Sequence, residues 1–227
     1  MKNLSSIVLV SSAFTLLCIA SVGCTKESTG PDQIVGSGRV VSQERATVAF
    51  TGVRVTGIAK VIITQDSLRS VRVESDDNII SRVQTSVDQG VLVVGLLPGS
   101  YSGITVKVYV SMRSIEDLES IGTAEFLATG PIHAEGLLCR ISGVGTVTLT
   151  GTAMSQTLEI TGAGSVHNFD LSCPHSSVML AGTGHIEVCA TQQLDAVISG
   201  TGNILYSGNP QLVHQTVSGA GTIGPRP

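Results

Sequence analysis

The second half of the chain repeats one short, glycine-rich hexamer. It reads SGVGTV at 142–147, TGAGSV at 161–166, AGTGHI at 181–186, SGTGNI at 199–204 and SGAGTI at 218–223, after a weaker copy, IGTAEF, at 121–126. The first glycine of each copy follows the previous one after 18 to 21 residues. A fixed period of this length indicates a solenoid, in which every repeat forms one coil that is stabilised by stacking on its neighbours.

The residues around the glycines favour β-coils over helical repeats. The position two residues before the first glycine is aliphatic in all five full copies, and so is the position four residues after it. A third, mostly apolar column lies four residues before the glycine. Apolar residues at every second position are typical of strands with one buried face. The two aliphatic columns are Ile141, Ile160, Leu180, Ile198 and Val217, and Val147, Val166, Ile186, Ile204 and Ile223.

The glycines of the repeat are predicted to form the corners of the coils. Glycine permits either a positive φ angle or a close approach of two backbones, and both are common where a strand turns. The predicted corner glycines are Gly143, Gly145, Gly162, Gly164, Gly182, Gly184, Gly200, Gly202, Gly219 and Gly221.

One polar column of the repeat is predicted to face solvent, because it lies next to an inward aliphatic column and strand residues alternate. Such a row of uncharged polar side chains suits hydrogen bonding to sugar hydroxyls. The alternative is an ordinary solvated strand face. The column consists of Thr146, Ser165, His185, Asn203 and Thr222.

The preceding region is also predicted to be β-structure. Apolar or alternating stretches at 53–64, 70–74, 91–97 and 104–110 are separated by polar breaks. The break at 76–78 is a signal for a turn or a helix start. We interpret the chain from residue 35 to 227 as a single domain. In it, less regular coils over 35–115 cap the Gly-x-Gly coils over 116–227.

The first residues have the form of an export signal. An apolar run over 7–20 is too short to span a membrane but fits the core of a signal peptide, which we place at 1–23. Small residues precede Cys24, as in the lipobox of bacterial lipoproteins, where this cysteine is acylated. The usual leucine is replaced by Ser21, so cleavage without acylation remains an alternative. Residues 24–34 are predicted to be a lipid-anchored, flexible linker.

Three further cysteines, Cys139, Cys173 and Cys189, lie among apolar neighbours. Their number is odd, so at most one disulfide could form among them. Cysteine is among the most frequently buried residue types. We therefore predict buried thiols rather than a disulfide.

Charge and spacing argue against several classes of protein. The net charge is −4 and there is no polybasic stretch, which argues against nucleic acid and against a basic lipid-binding segment. The five histidines and the cysteines lack metal-ligand spacing, so no metal or other cofactor is expected. The acids of the repeat are spread one to a coil. Of these, only Glu187 and Asp195 could form the facing pair that a glycosidase needs.

The order of these segments resembles the head GIN domain of putative auto-transporter adhesins, over about 190 residues from Val35. The resemblance implies a right-handed parallel β-helix in bacterial envelope proteins, often behind a lipoprotein signal, and it supplies no catalytic residues. It rests on VRVTGIAKV at 53–61 with VRVE at 71–74, on DNII at 77–80 leading to GVLVV at 90–94, and on ITVKVYV at 104–110.

We therefore expect a lipoprotein of the outer membrane, on its periplasmic or surface side, that acts as a non-catalytic binding or adhesion module. Its expected partners are the membrane, through the lipid, and a glycan or an envelope protein. The alternative is a structural or assembly role through a β-edge or a solenoid end. A carbohydrate-active enzyme is a distant third hypothesis.

Overall fold

The computed structural model describes residues 33–227, so the predicted signal peptide, Cys24 and nearly all of the linker lie outside the described residues. Within this range the chain forms strands joined by short turns, with a single turn of 3-10 helix at Ile80–Arg82. No helix between residues 33 and 227 is long and apolar enough to span a membrane.

The strands are numbered in chain order. They are β1 (Gln33–Val35), β2 (Val40–Glu44), β3 (Gly52–Val55), β4 (Ile58–Gln65), β5 (Ser70–Asp76), β6 (Val83–Asp88), β7 (Val91–Leu96), β8 (Ser100–Ser102), β9 (Val106–Met112), β10 (Asp117–Ser120), β11 (Thr123–Ala128), β12 (Ile132–Ile141), β13 (Val144–Thr148), β14 (Gly151–Ile160), β15 (Ala163–Leu180), β16 (Thr183–Ile198), β17 (Thr201–Ser207), β18 (Leu212–Val217) and β19 (Ala220–Pro225).

The glycine repeat folds as a parallel β-solenoid, as predicted from its period. Long strands such as β15 bend around corners, and the alternation of buried and exposed residues breaks at 169–170 and at 174–175. Each coil therefore has three sides. We call the strands that follow the Gly-x-Gly corner face 1, the middle segments face 2, and the strands that lead into the next corner face 3.

Equivalent residues of successive coils lie directly beside one another. Strand β13 pairs with β15, β15 with β16, β16 with β17, and β17 with β19, all parallel and in the register of the sequence repeat. The predicted aliphatic columns form buried ladders down the axis. The ladders are fully buried as far as Ile198 and Ile204, whereas Val217 in the last coil is 46% exposed.

The first coils are stacked in an order that differs from the chain order. Strand β3 lies between β7 and β10, and β4 lies between β9 and β11, all in parallel pairs. The coil of β7 and β9 thus lies beneath the earlier coil of β3 and β4. Beneath it the strands become antiparallel, because β6 pairs with β7, β5 with β9, and β2 with β5.

The two ends of the stack differ. The antiparallel strands cover the N-terminal end. This cover prevents the exposed sheet edge from pairing with other chains. At the other end, β18 pairs only with β16, and β19 only with β17, within residues 33–227. Leu212 on β18 is 44% exposed. The buried core runs from Phe50 to Ile204 and lies wholly in this unit, which therefore contains what a domain needs to fold on its own.

Close packing of backbones explains the corner glycines. A Cβ atom on Gly182 would lie 1.9 Å from the carbonyl oxygen of Gly162 in the coil below, and one on Gly200 would lie 1.9 Å from that of Gly182. Of the ten predicted corner glycines only Gly202 has a positive φ, at 142°. Contact between coils, rather than a left-handed backbone, excludes a side chain at eight of the other nine, whereas a Cβ on Gly145 would meet only side-chain atoms, the nearest at 3.2 Å.

The three domain cysteines are free thiols. Cys139 and Cys173 are buried as predicted, whereas Cys189 is partly exposed. Burial raises the pKa of the Cys139 thiol, and it raises the pKa of Cys173 as well. Both thiols remain protonated at neutral pH and act as small apolar residues in the core.

Candidate functional site

The five residues of the predicted polar column form one row on face 1, which we call the polar row. Parallel pairing places Thr146 beside Ser165, Ser165 beside His185, His185 beside Asn203, and Asn203 beside Thr222. The first three are half-buried and the last two are exposed. Neighbouring members are about 4.8 Å apart, the spacing of strands in a sheet.

The polar row continues into charged residues toward the N-terminal end of the stack. Glu125 lies beside Thr146, and Lys60 lies beside Glu125. The Lys60 ammonium donates to the Glu125 carboxylate at 2.6 Å. The uncharged part of the polar row therefore ends at this ion pair. At the other end, the hydroxyl of Thr222 donates to Oδ1 of Asn203 at 3.0 Å.

A second row on face 1 brings together groups that are distant in sequence. His167 on β15 lies beside Glu187 on β16, and its Nδ1 is 2.8 Å from the carboxylate. Nε2 of His185 is 3.5 Å from the other oxygen of the same carboxylate, and the two imidazole rings are 6.5 Å apart. Burial opposes ionisation of Glu187, but hydrogen bonds from His167 and His185 outweigh it and lower the pKa of the carboxyl.

Local sequence spacing did not reveal this cluster. Metal-ligand spacing concerns residues only a few positions apart, whereas His167 and Glu187 are 20 residues apart. The period of the solenoid is the signal that would have found the pair, since residues one period apart become neighbours.

A groove of about 550 Å³ adjoins the second row. The guanidinium of Arg226 lies 4.6 Å from the centre of the Phe169 ring and forms one wall. Its backbone N–H donates to the carbonyl of Tyr206, which ties the C-terminal residues to face 1. The groove is lined by Thr148, Thr150, His167, Phe169, Asp170, Glu187, Leu205, Arg226 and Pro227.

The two acids that a glycosidase could have used lie on different faces. Glu187 belongs to face 1, whereas Asp195 lies on face 3, where its carboxylate accepts hydrogen bonds from His214 at 2.8 Å and Gln193 at 2.7 Å. No group of three or more His, Cys, Asp or Glu side chains in the described range is arranged to hold a metal ion. Beyond the Lys60–Glu125 pair, face 1 offers a set of hydrogen-bonding groups and the ionised carboxylate of Glu187.

The family model for "Putative auto-transporter adhesin, head GIN domain" matches residues 49–210. The chain belongs to this family. The match covers β3 to β17 completely, and it therefore includes the coils that carry the second row and most of the polar row. No curated protein matches the sequence.

Solved structures share the fold of this GIN domain. A putative adhesin from Bacteroides fragilis is 20% identical, with a TM-score of 0.66, and the alignment covers 85% of this chain and all of the other. A putative lipid binding protein from Parabacteroides distasonis is also 20% identical, with a TM-score of 0.54 and coverage of 86% and 100%. A putative adhesin from Parabacteroides merdae has a TM-score of 0.50 at 20% identity, with the same coverage.

Proposed function

We propose that this GIN-domain protein is a lipid-anchored, non-catalytic binding module of the bacterial envelope and that its face 1 binds glycans. The observation that carries the proposal is the in-register alignment of the polar row beside the His167–Glu187 pair. This surface repeats along the stack, so successive sugar rings of a chain could each meet one coil. Membership of an adhesin family supports a binding role.

The chemistry of the two rows suits sugar hydroxyls. Serine, threonine, asparagine and neutral histidine each offer a donor and an acceptor, so they can bind a hydroxyl group in either sense. The ionised Glu187 is an acceptor for two hydroxyl groups, and hydrogen bonds to charged groups are the stronger ones. Each contact is weak in water, and adhesion to a glycan-coated surface gains its strength from many copies acting together.

A printed glycan array followed by solution affinities tests this function. We expect the double variant His185→Ala, Asn203→Ala to bind the strongest array glycan about 30-fold more weakly, since two hydrogen bonds of roughly 1 kcal/mol each are removed. His214→Ala on face 3 is the matched control and should bind as the wild type does.

Equal losses in the face 1 variant and in His214→Ala would contradict the proposal. So would the absence of any array glycan bound by the folded protein. If that protein also self-associated, assembly through the uncovered edge of β18, the alternative suggested by the sequence, would be favoured instead.

The envelope location rests on the first 24 residues, and Cys24 is the proposed acylation site. Radiolabelled palmitate should label the wild-type chain in cells, and Cys24→Ala should abolish the label. Cys189→Ala, which removes the partly exposed thiol of the domain, is the matched control and should keep it. Palmitate label on Cys24→Ala, or no label on the wild-type chain, would contradict acylation at Cys24. Neither result would bear on glycan binding by face 1.

A further inference from the structure

We propose that the N-terminal end of the stack docks directly on an anionic lipid bilayer. Four exposed residues from three segments form the contact, which we call the arginine–leucine patch: Val48, Leu68, Arg69 and Arg113. No stretch of the sequence is polybasic. The fold creates the patch, because the loops before β3, between β4 and β5, and after β9 line one groove in the two lowest coils.

Charge is divided along the axis of the stack. Residues 33–113, which form the antiparallel cap and the two lowest coils, contain nine Lys and Arg against six Asp and Glu. Residues 114–227, which form the coils above, contain two against nine. The N-terminal part therefore carries a net charge of +3 and the remainder −7. A negatively charged membrane attracts the first part and repels the second, and this orients the stack away from the bilayer.

Several cations among residues 33–113 are already paired with carboxylates. Arg54 binds Glu119, Lys60 binds Glu125, and Arg72 binds Glu74. Arg69 and Arg113 are exposed and have no carboxylate within ion-pair distance among residues 33–227. They remain available for an anion such as a lipid phosphate, which guanidinium groups bind through two hydrogen bonds.

Leu68 is held outward by its turn. It is 75% exposed, the highest value for any large apolar side chain in the described range. Its N–H donates to the carboxylate of Asp66 at 3.1 Å, and its carbonyl accepts a hydrogen bond from the hydroxyl of Ser111 at 2.5 Å. These bonds fix the backbone, so the leucine cannot turn inward without breaking them. The first of these bonds uses Oδ1 of Asp66, the acid nearest to the patch in sequence.

Val48, in the loop before β3, is 65% exposed. A groove of about 320 Å³ is lined by Ala49, Ser67 and Arg69, the chain neighbours of this valine and of the exposed leucine, together with Arg113. Two protruding aliphatic side chains flanked by unpaired arginines match the boundary of a bilayer, where the acyl region receives the apolar groups and the phosphates receive the cations. Strand β1 enters the fold at this same end, through its pairing with β8 in the lowest coil.

Vesicle sedimentation tests the patch without the lipid anchor. The chain used begins at residue 25 and contains the whole described unit. It should bind vesicles of phosphatidylcholine mixed with phosphatidylglycerol, and not phosphatidylcholine alone, in a manner weakened by salt. Each basic residue at an anionic surface contributes about fivefold, so Arg69→Gln, Arg113→Gln should lower the partition coefficient about 25-fold. Leu68→Asn should lower it as well.

Two variants on the upper coils serve as matched controls. Arg226→Gln removes one cation, and Met154→Asn removes an apolar side chain that is 65% exposed. Both should bind the mixed vesicles as the wild type does. Equal binding to the two kinds of vesicle would overturn the proposal, and so would equal losses in the patch and control variants at unchanged melting temperature. The outcome is independent of Cys24 and of glycan binding.

Discussion

At the scale of single residues, the corner glycines determine how closely the coils can stack. A Cβ atom on the first glycine of each repeat would point at the carbonyl oxygen of the equivalent glycine in the coil below. Gly143, for example, faces the carbonyl oxygen of Gly122, and Gly122 in turn faces that of Gly57. The weak repeat at 121–126 thus follows the same rule, although Ala124 stands in the place of its second glycine.

Substitution of one corner glycine should therefore be costly. We expect Gly182→Ala to lower the free energy of unfolding by about 2–3 kcal/mol, because the added methyl group must push two backbones apart. Gly130→Ala is the control, since a Cβ there meets nothing within 4 Å. Urea unfolding followed by circular dichroism measures both. Similar stabilities for the two variants would contradict this explanation of the glycines.

At the scale of strands, parallel in-register pairing turns distant residues into neighbours. The ion pair of Arg140 with Asp117, at 3.0 Å, joins β12 to β10, and the His167–Glu187 pair joins β15 to β16. These pairs lie between coils rather than within them. They stabilise the stacking of one coil on the next, and they make it sensitive to the protonation of acids.

The His167–Glu187 pair predicts acid sensitivity. The pKa of Glu187 is lower in the folded protein than its ordinary value of 4.5, so the carboxylate contributes stability above that pH and loses it as pH falls through the folded value. We expect Glu187→Gln to reduce the fall in unfolding free energy between pH 5 and pH 3. Urea titrations at each pH measure the slope.

Glu135→Gln is the control for that slope, because the side chain of Glu135 is exposed and makes no hydrogen bond within residues 33–227. Its slope should match that of the wild type. If Glu187→Gln kept the full slope as well, the inter-coil pair would not be the source of the acid sensitivity.

At the scale of the whole unit, the periodic part could be predicted and the aperiodic part could not. The ladders through Ile160 and Val166 follow from two inward columns of the repeat that are wholly aliphatic. The stacking of β7 beneath β3 has no periodic signal, because it depends on which strand edge the returning chain meets. The outward position of the polar row could be predicted from the alternation of strand residues. The contacts of Glu187 with His167 could be predicted only by comparing charged residues that lie one coil period apart.

The unit also has two dissimilar ends and one distinctive face. The N-terminal end is capped, cationic and adjacent to β1, while the coil of β18 and β19 is uncovered within the described range. Between them, face 1 presents the polar row and the Glu187 cluster along the length of the stack. In this arrangement a membrane-bound N-terminal end would leave face 1 accessible to a partner along the length of the stack.

Glycan binding by face 1 is the central claim, and amide chemical-shift mapping tests it most directly. The strongest glycan from the array would be titrated into ¹⁵N-labelled protein that begins at residue 25. We predict that the perturbed amides cluster at 144–148, 163–167, 183–187 and 201–205, with those at 157–160, 177–180 and 195–198 on face 3 unchanged. Perturbations centred on face 3, or spread evenly over all three faces, would contradict the claim.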